Sequence, residues 1–491
     1  MRARRSEPLR AWLLVALACA LSALAAPRAL AQQTGTSLLN HDFNLDIVTG
    51  PVLGSGRIIG LSGAYTALAN GIEGAAWNAA SYANRTPWNT SWFNWDVTAS
   101  IVPTMLRRSD FENNGQSGFT YGDFVFGTVG LDLQFGEFGV GGLLNLHSYN
   151  LGNSAELSLA IANYGVGYLF ADGQLVIGAG ARTAILNITD KTSNNNLVDV
   201  GGTSPELGAL LQLADQPFRV GLAARMPVES GVIGEVRAAD KTLPRQIRLP
   251  WEVQAGFAVQ LGPRPLNLRW SNPQKVEARL RASMMAQRRA RELEQLEREA
   301  LEQKVELAGS NEPPALAELQ PHPKVVVEGV PQDPDFWAEE AKLRWHEERE
   351  LLARLAELEA ERQHAVRALS RRYLLLSAET IFVGATANGV GLESFLSQRR
   401  QVSGRNVTVG LRLGAEGEPI ANWVQMRVGT YFEPSRFDTT GYRVHATAGL
   451  DVRVFSWDLF GLLDEFTVTV GAAADVAERY LNASFGVGLW H

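Results

Sequence analysis

From residue 91 onward, apolar and polar side chains alternate with a period of two, the pattern of strands whose two faces meet different surroundings. In residues 91–101 the odd positions hold Phe93, Trp95, Val97, Ala99 and Ile101, and the even ones include Asn94, Asp96, Thr98 and Ser100. Val125, Val129, Leu131, Leu133 and Phe135 alternate in the same way with Thr128, Asp132 and Gln134, and Phe218, Val220, Leu222 and Ala224 with Arg219, Gly221 and Arg225. Trp251, Val253, Ala255, Phe257, Val259 and Leu261 oppose Glu252, Gln254 and Gln260; Val407, Val409, Leu411 and Leu413 oppose Thr408, Arg412 and Glu416. A soluble sandwich also alternates, but its strands run about five or six residues. These segments run about ten to fourteen, long enough for a tilted strand to cross a bilayer. The pattern predicts an all-β transmembrane barrel.

Fourteen antiparallel strands are expected, beginning near residues 91, 120, 138, 155, 175, 204, 218, 249, 372, 405, 422, 442, 465 and 480. Connections after even strands are short (136–137, 171–173, 215–217), and those after odd strands are longer (107–118, 189–203, 227–248). Short periplasmic turns and long extracellular loops are the habit of outer-membrane barrels. The exception follows the eighth strand. Within residues 271–372, segments 276–307 and 335–373 lack Gly and Pro and are dense in Glu, Arg, Ala and Leu, which predicts two long helices joined by a Pro-containing connector. Leu351, Leu355, Leu358, Ala365 and Leu369 make a narrow apolar seam, and Glu340/Arg344 and Glu350/Arg354 are spaced to pair across one turn. The block is read as a solvated antiparallel hairpin, periplasmic by the strand count.

Residues 1–31 carry four arginines ahead of the apolar run 11–26 and an Ala29-Leu30-Ala31 cleavage pattern, so a Sec signal peptide is expected, with the mature chain starting at Gln32. Cys19, inside that leader, is the only cysteine, which leaves no disulfide framework, CxxC metal site or thiol nucleophile afterwards. A net charge of -7 argues against a nucleic-acid surface. No run of eighteen apolar residues follows the leader. Export without helical spans fits an outer-membrane location, with membrane lipids as the first partner. Trp88, Trp92 and Trp95 read as an interfacial girdle.

Ahead of the first strand lies "GSGRIIGLSGAYTALANGIEGAAWNAASYAN", residues 54–84. As a phosphate loop it fails: the third glycine comes one place late for GxGxxG, and no Lys-Ser/Thr pair follows. Residues 32–90 are instead read as a hatch that fills the barrel. Small residues let irregular chain lie against the wall, and Tyr65, Leu68, Ile72 and Trp77 fill the remaining space.

The run "GLSGAYTALANGIEGAAWNAASYAN" resembles the N-terminal hatch signature of the FadL-like outer-membrane transporters, with Gly63, Ala64, Tyr65, Ala67, Ala69, Gly71, Trp77, Asn78 and Ala80 in matching positions. "RLGAEGEPIANWVQMRVGTYFEPSRF" is similar to that family's late barrel hairpin. The resemblance implies a fourteen-stranded barrel passing long-chain fatty acids or other hydrophobic small molecules, with ligand bound beside Tyr65, Leu68, Ile72, Trp77 and Asn78. Three departures stand out: Ala79 replaces the signature proline, Asn70 the usual aspartate, and the helical block has no counterpart. The alternative is a non-transporting scaffold or secretion-associated barrel whose helices bind a periplasmic protein or cell-wall partner.

Asp96, Asp132, Arg182, Arg219, Arg225, Glu252, Arg412, Glu416 and Arg427 are expected to face the lumen, where mixed charges form structural pairs in preference to an ionic substrate site. His147 and His445 fall on strands near Asn145, Asp451 and Arg453, which keeps a barrel hydrolase as a third reading. HExxH and GxSxG are absent, however, so no enzyme, cofactor or metal is expected.

Overall fold

The computed structural model describes residues 36–490 apart from 49, 86–90, 103–108, 117, 119, 121–122, 152–154, 192, 235–236, 239–240, 269, 310–333, 438–440 and 458–465. The expected leader and Trp88 lie outside the described residues. The chain divides into two units, residues 1–270 with 369–491, and residues 271–368.

The first unit is a closed fourteen-stranded barrel. Its strands are β1 (Phe93–Val102), β2 (Phe124–Phe135), β3 (Phe138–Leu151), β4 (Ala155–Phe170), β5 (Leu175–Asp190), β6 (Asn196–Leu211) and β7 (Phe218–Arg225). They continue as β8 (Glu252–Leu261), β9 (Leu374–Val383), β10 (Thr408–Ile420), β11 (Val424–Pro434), β12 (Tyr442–Trp457), β13 (Phe466–Ala477) and β14 (Tyr480–Trp490). Each pairs antiparallel with the next, and β14 closes on β1 through Phe485↔Ile101 and Gly488↔Thr98. Closure satisfies every edge, which a bilayer demands of a spanning sheet. The outward positions are large and apolar yet open: Ile101 is 52% exposed, Leu411 54% and Val487 54%. A contiguous belt of such side chains has no place in water, so this face meets lipid. No described helix is long and apolar enough to cross a membrane.

The expected strand starts match except at β6, which begins at Asn196 rather than 204. Asn194, Asn196 and the Gly201-Gly202 pair look like loop chemistry, but β6 stays paired with β5 through Ile185↔Gly201 and Ala184↔Gly202. The connection 189–203 therefore shrinks to 191–195. Long connections remain after β1, β7 and β9.

The connections after β7 and β9, together with the segment ahead of the barrel, build a second sheet. Its order is Val228–Glu229, Gln246–Leu249, Asn44–Asp46, Gly389–Gly391 and Val402–Ser403, with the N-terminal strand parallel to both neighbours. Asp46 secures it: its carboxylate accepts from Arg436 Nε at 2.9 Å, Thr386 Oγ1 at 2.7 Å and Ser403 Oγ at 2.9 Å. From this sheet the chain runs on into the lumen.

The second unit holds α1 (Pro273–Gly309) and α2 (Pro334–Arg367), the two expected helices. Arg288 Nη1 reaches Glu347 at 2.8 Å, tying one to the other. Leu351 is buried and Leu355 and Leu358 are half-buried, but Ala365 is exposed and Leu369 lies beyond the helix end, so only the first part of the expected seam is covered. Arg354 pairs with Glu357 at 2.5 Å instead of with Glu350, one turn the other way.

Candidate functional site

Residues 54–84 occupy the lumen as short elements: a helix Gly56–Gly60 capped by Ser55, and 3-10 turns Ile72–Ala76 and Ala79–Ala83. So little regular structure leaves many backbone groups to be met from outside. The wall meets them. Glu379 on β9 accepts from Tyr65 N at 3.0 Å and Thr66 N at 2.9 Å, and is itself held by Arg412 at 2.8 Å. Asp96 accepts from Ile72 N at 2.8 Å. Arg219 Nη1 donates to Asn70 Oδ1 at 2.9 Å, and Arg225 donates to the Ala76 carbonyl. Asn78 donates to Thr66 O and Ala209 O, both at 3.0 Å, while its own oxygen caps Ala80 N at 3.0 Å.

Close approach is possible because the wall is notched with glycine. Gly139, Gly167, Gly178 and Gly208 are cross-strand neighbours in register on β3 to β6. The turn Ala79–Ala83 lies along this row. A β-carbon would stand 1.7 Å from Tyr82 O at Gly139, 2.1 Å from Ala79 O at Gly178, and 2.0 Å from Asn78 Oδ1 at Gly208. Gly221 and Gly256, paired on β7 and β8, receive Thr66 and Ala67 in the same way.

Of the lumenal arginines, Arg182, Arg225, Arg412 and Arg427 are paired with carboxylates, whereas Arg219 donates to Asn70, Asn267 and the Leu266 carbonyl. Arg182 meets Glu252 at 2.9 Å; Arg225 meets Glu252 at 3.0 Å and Glu206 at 3.4 Å. Arg427 meets Glu416 at 2.7 Å and Asp451 at 2.5 Å, and Glu416 also takes Arg57 of the hatch at 2.9 Å. Asp132 lies across the strand pair from Asp96 and accepts from Gln134 at 3.0 Å. Glu379 and Glu206 escaped the sequence reading, although Ser377 and Glu379 share the polar parity of β9 that would have pointed inward.

Two cavities flank the hatch. One of about 200 Å³ touches Glu252 and Gln254 at the start of β8, Val383 at the end of β9 and Pro434 at the end of β11. The other, about 220 Å³, touches Gln260, Leu375 and Gln425 at the opposite strand ends. Trp77 lines the first cavity with Val52, Phe126, Ile161, Ile381 and Phe432; Leu68 borders the second. Tyr65, Ile72 and Asn78 line neither and are fully buried in the hatch. The second cavity is walled by charge: Arg57, Glu73, Asp96, Arg219, Glu416 and Arg427.

Glu112, on the long connection after β1, also lines the first cavity. Burial pushes its carboxyl up to about 8, against the donation of Leu392 N at 2.7 Å and Glu393 N at 2.9 Å. It is therefore mostly protonated at neutral pH.

His445 does not offer a free base. Its Nδ1 meets Asp475 at 2.8 Å and its Nε2 meets Glu433 at 2.7 Å, while Tyr431 stacks on the ring at 4.0 Å and donates to Asp475 at 2.6 Å. A general base needs one ring nitrogen turned to a nucleophile. Here both are bound to carboxylates. Among the described residues, no group of three or more His, Cys, Asp or Glu side chains could hold a metal ion.

No family model matches the sequence, and no curated protein matches it. Solved structures do align over most of the chain. The CymD monoaromatic hydrocarbon channel is 9% identical over 90% of this chain and 97% of that one, with a TM-score of 0.45. The toluene transporter TodX of P. putida gives 9% over 90% and 97%, with 0.42, and a Pseudomonas aeruginosa FadL homologue 9% over 91% and 98%, with 0.33. At these values nothing about ligand or activity passes from those proteins to this one. The fourteen-stranded barrel rests on its own strand pairing.

Proposed function

We propose that this protein is an outer-membrane channel for passive movement of hydrophobic small molecules, fatty-acid-like in character, through a hatch-plugged barrel. The observation that carries the reading is the cavity of about 200 Å³ between hatch and wall, in which Trp77 and apolar wall residues are open while the neighbouring arginines are already matched by carboxylates. Such a lining suits an apolar body and offers little to an ion. A ligand would pass from the extracellular loops to Trp77 and leave when the hatch shifts against its glycine seat. The hatch resemblance, in which Tyr65, Leu68, Ile72, Trp77 and Asn78 match or neighbour the signature, supports the same reading. In this reading no nucleotide is used, and the helical unit belongs to the periplasmic side.

The test is reconstitution in liposomes with a fluorescent long-chain fatty acid as probe. Wild type should accelerate its entry over empty liposomes, and Trp77→Asp should abolish that gain without raising ion conductance. Equal rates for wild type and empty liposomes would sink the channel reading.

A second reading is favoured by one feature. On α1, Leu293, Leu296, Leu301 and Val305 are each more than half exposed. That surface suits a scaffold that engages a periplasmic protein or the cell wall. It would stand alone if transport were absent and removal of residues 271–368 produced an envelope defect.

A further inference from the structure

Whether the first cavity is uniformly apolar depends on which of its polar atoms are already spoken for. Four arginines line it, and each has a carboxylate partner: Arg182 and Arg225 on Glu252, Arg412 on Glu379, Arg436 on Asp46. A charged ligand would have to displace a buried pair, which is costly.

His147 and Asn145 differ. They are two residues apart on β3, so both face the lumen about 7 Å apart, and both line the cavity. His147 is only 4% exposed. Its Nδ1 is 3.1 Å from the Tyr149 hydroxyl, and its ring meets Phe126 edge-on at 4.9 Å. Its Nε2 has no hydrogen-bond partner among the described residues. Asn145 Oδ1 meets Thr128 Oγ1 at 2.7 Å, while its amide nitrogen likewise has none. Among the described residues, neither side chain is hydrogen-bonded or ion-paired to a charged group. One ring nitrogen and one amide donor are thus left over, beside Phe126, facing the cavity.

Leaving such atoms dry is unfavourable, and an apolar ligand cannot satisfy them. A ligand carrying one neutral hydroxyl on an apolar ring can: its O–H meets Nε2, or its oxygen accepts from Asn145. We infer that His147 and Asn145 make this cavity selective for small hydroxylated aromatic molecules over plain hydrocarbons of the same size. The inference rests on the channel reading, in that it assigns the ligand of the same cavity. Sites that hydrogen-bond a ligand hydroxyl discriminate far more strongly than sites that only match shape.

The experiment is equilibrium dialysis of radiolabelled p-cresol, toluene and benzoate against the full mature chain in nanodiscs, with empty nanodiscs as blank. Wild type is expected to bind p-cresol at least tenfold more tightly than toluene. His147→Phe should erase the preference while keeping toluene binding, which also shows that the variant is folded; His147→Gln should retain part of it. Asn145→Leu should narrow it. Equal binding of p-cresol and toluene by wild type, or an unchanged ratio in His147→Phe, would overturn the inference and leave the cavity reading standing. Tightest binding of benzoate would overturn it in favour of charge recognition. Binding of none of the three would defeat the apolar-ligand cavity and this inference with it.

Discussion

Gly208 on β6 lies so close to Asn78 that a β-carbon at position 208 would stand 2.0 Å from the Asn78 side-chain oxygen. The atoms in the way include the backbone nitrogens of Ala79 and Ala80, at 2.6 and 2.8 Å, so no rotamer change relieves the clash. Gly208→Val should lift the Ala79–Ala83 turn from its groove without disturbing the outward face of the strand. Planar-bilayer recordings are expected to show raised ion conductance, with heat-modifiability retained. Gly234→Val, where nothing lies within 4 Å of the new carbon, should conduct like wild type.

Glu379 is the opposite kind of anchor. Its buried carboxylate holds two hatch amides and Arg412 at once, three charge-assisted bonds on one side chain. Glu379→Gln keeps the shape, removes the charge and leaves Arg412 without its partner. Breaking a buried pair from one side costs about 3 kcal/mol. The urea midpoint should fall accordingly, and a protease added to detergent-solubilised protein should cut within residues 54–84 sooner than in wild type.

The strands were legible because lipid outside and polar lumen inside impose a strict two-residue rhythm, as in β1 and β8. The helices were legible because residues 276–307 and 335–373 abandon that rhythm and exclude Gly and Pro. Two features were not. The strand Asn44–Asp46 is three residues long and pairs with segments 200 and 340 or more positions away, so nothing local marks it. At β6, Gly202 mimics a turn but serves an approach: a β-carbon there would be 2.1 Å from Glu229 O. The hatch seat was written in plain sight, since glycines recur at lumenal positions of neighbouring strands, but only register shows that they align. Trp77 and Leu68 could be recognised as plug residues from size alone; that they face different cavities is set by the tertiary path.

Glu112 gives the loop sheet a pH dependence. Burial raises its folded pKa to about 8, well above an unfolded carboxyl near about 4.3, and Glu393 beside it is raised in the same direction by burial. A carboxyl raised on folding stabilises the fold in full below its unfolded value, and that contribution is lost as pH climbs through about 8. The N-terminal strand and its neighbours should therefore loosen between pH 5 and pH 9. A nitroxide on Ser37→Cys, feasible because Cys19 is the only native cysteine, should gain mobility over this range. Glu112→Gln should reduce that gain. Equal gains in both proteins would show that another group governs the change.

The helical unit separates the two functional readings most directly. β8 and β9 pair to their very ends, with Leu261 opposite Leu374, so the barrel needs only a turn between them, and residues 262–270 and 369–373 suffice to make one. The surface ion pairs of the helices, such as Arg281 with Glu277 at 3.1 Å and Arg288 with Glu292 at 2.9 Å, are solvent-exposed and add little stability that the barrel could borrow. Removing residues 271–368 should leave a barrel that still runs as a heat-modifiable band and conducts no more ions than wild type. Liposome entry of the fluorescent fatty acid should also persist if passage lies between hatch and wall. If entry is lost while the band and the low conductance remain, the helices take part in transport itself, and the hatch cavity alone does not account for the channel.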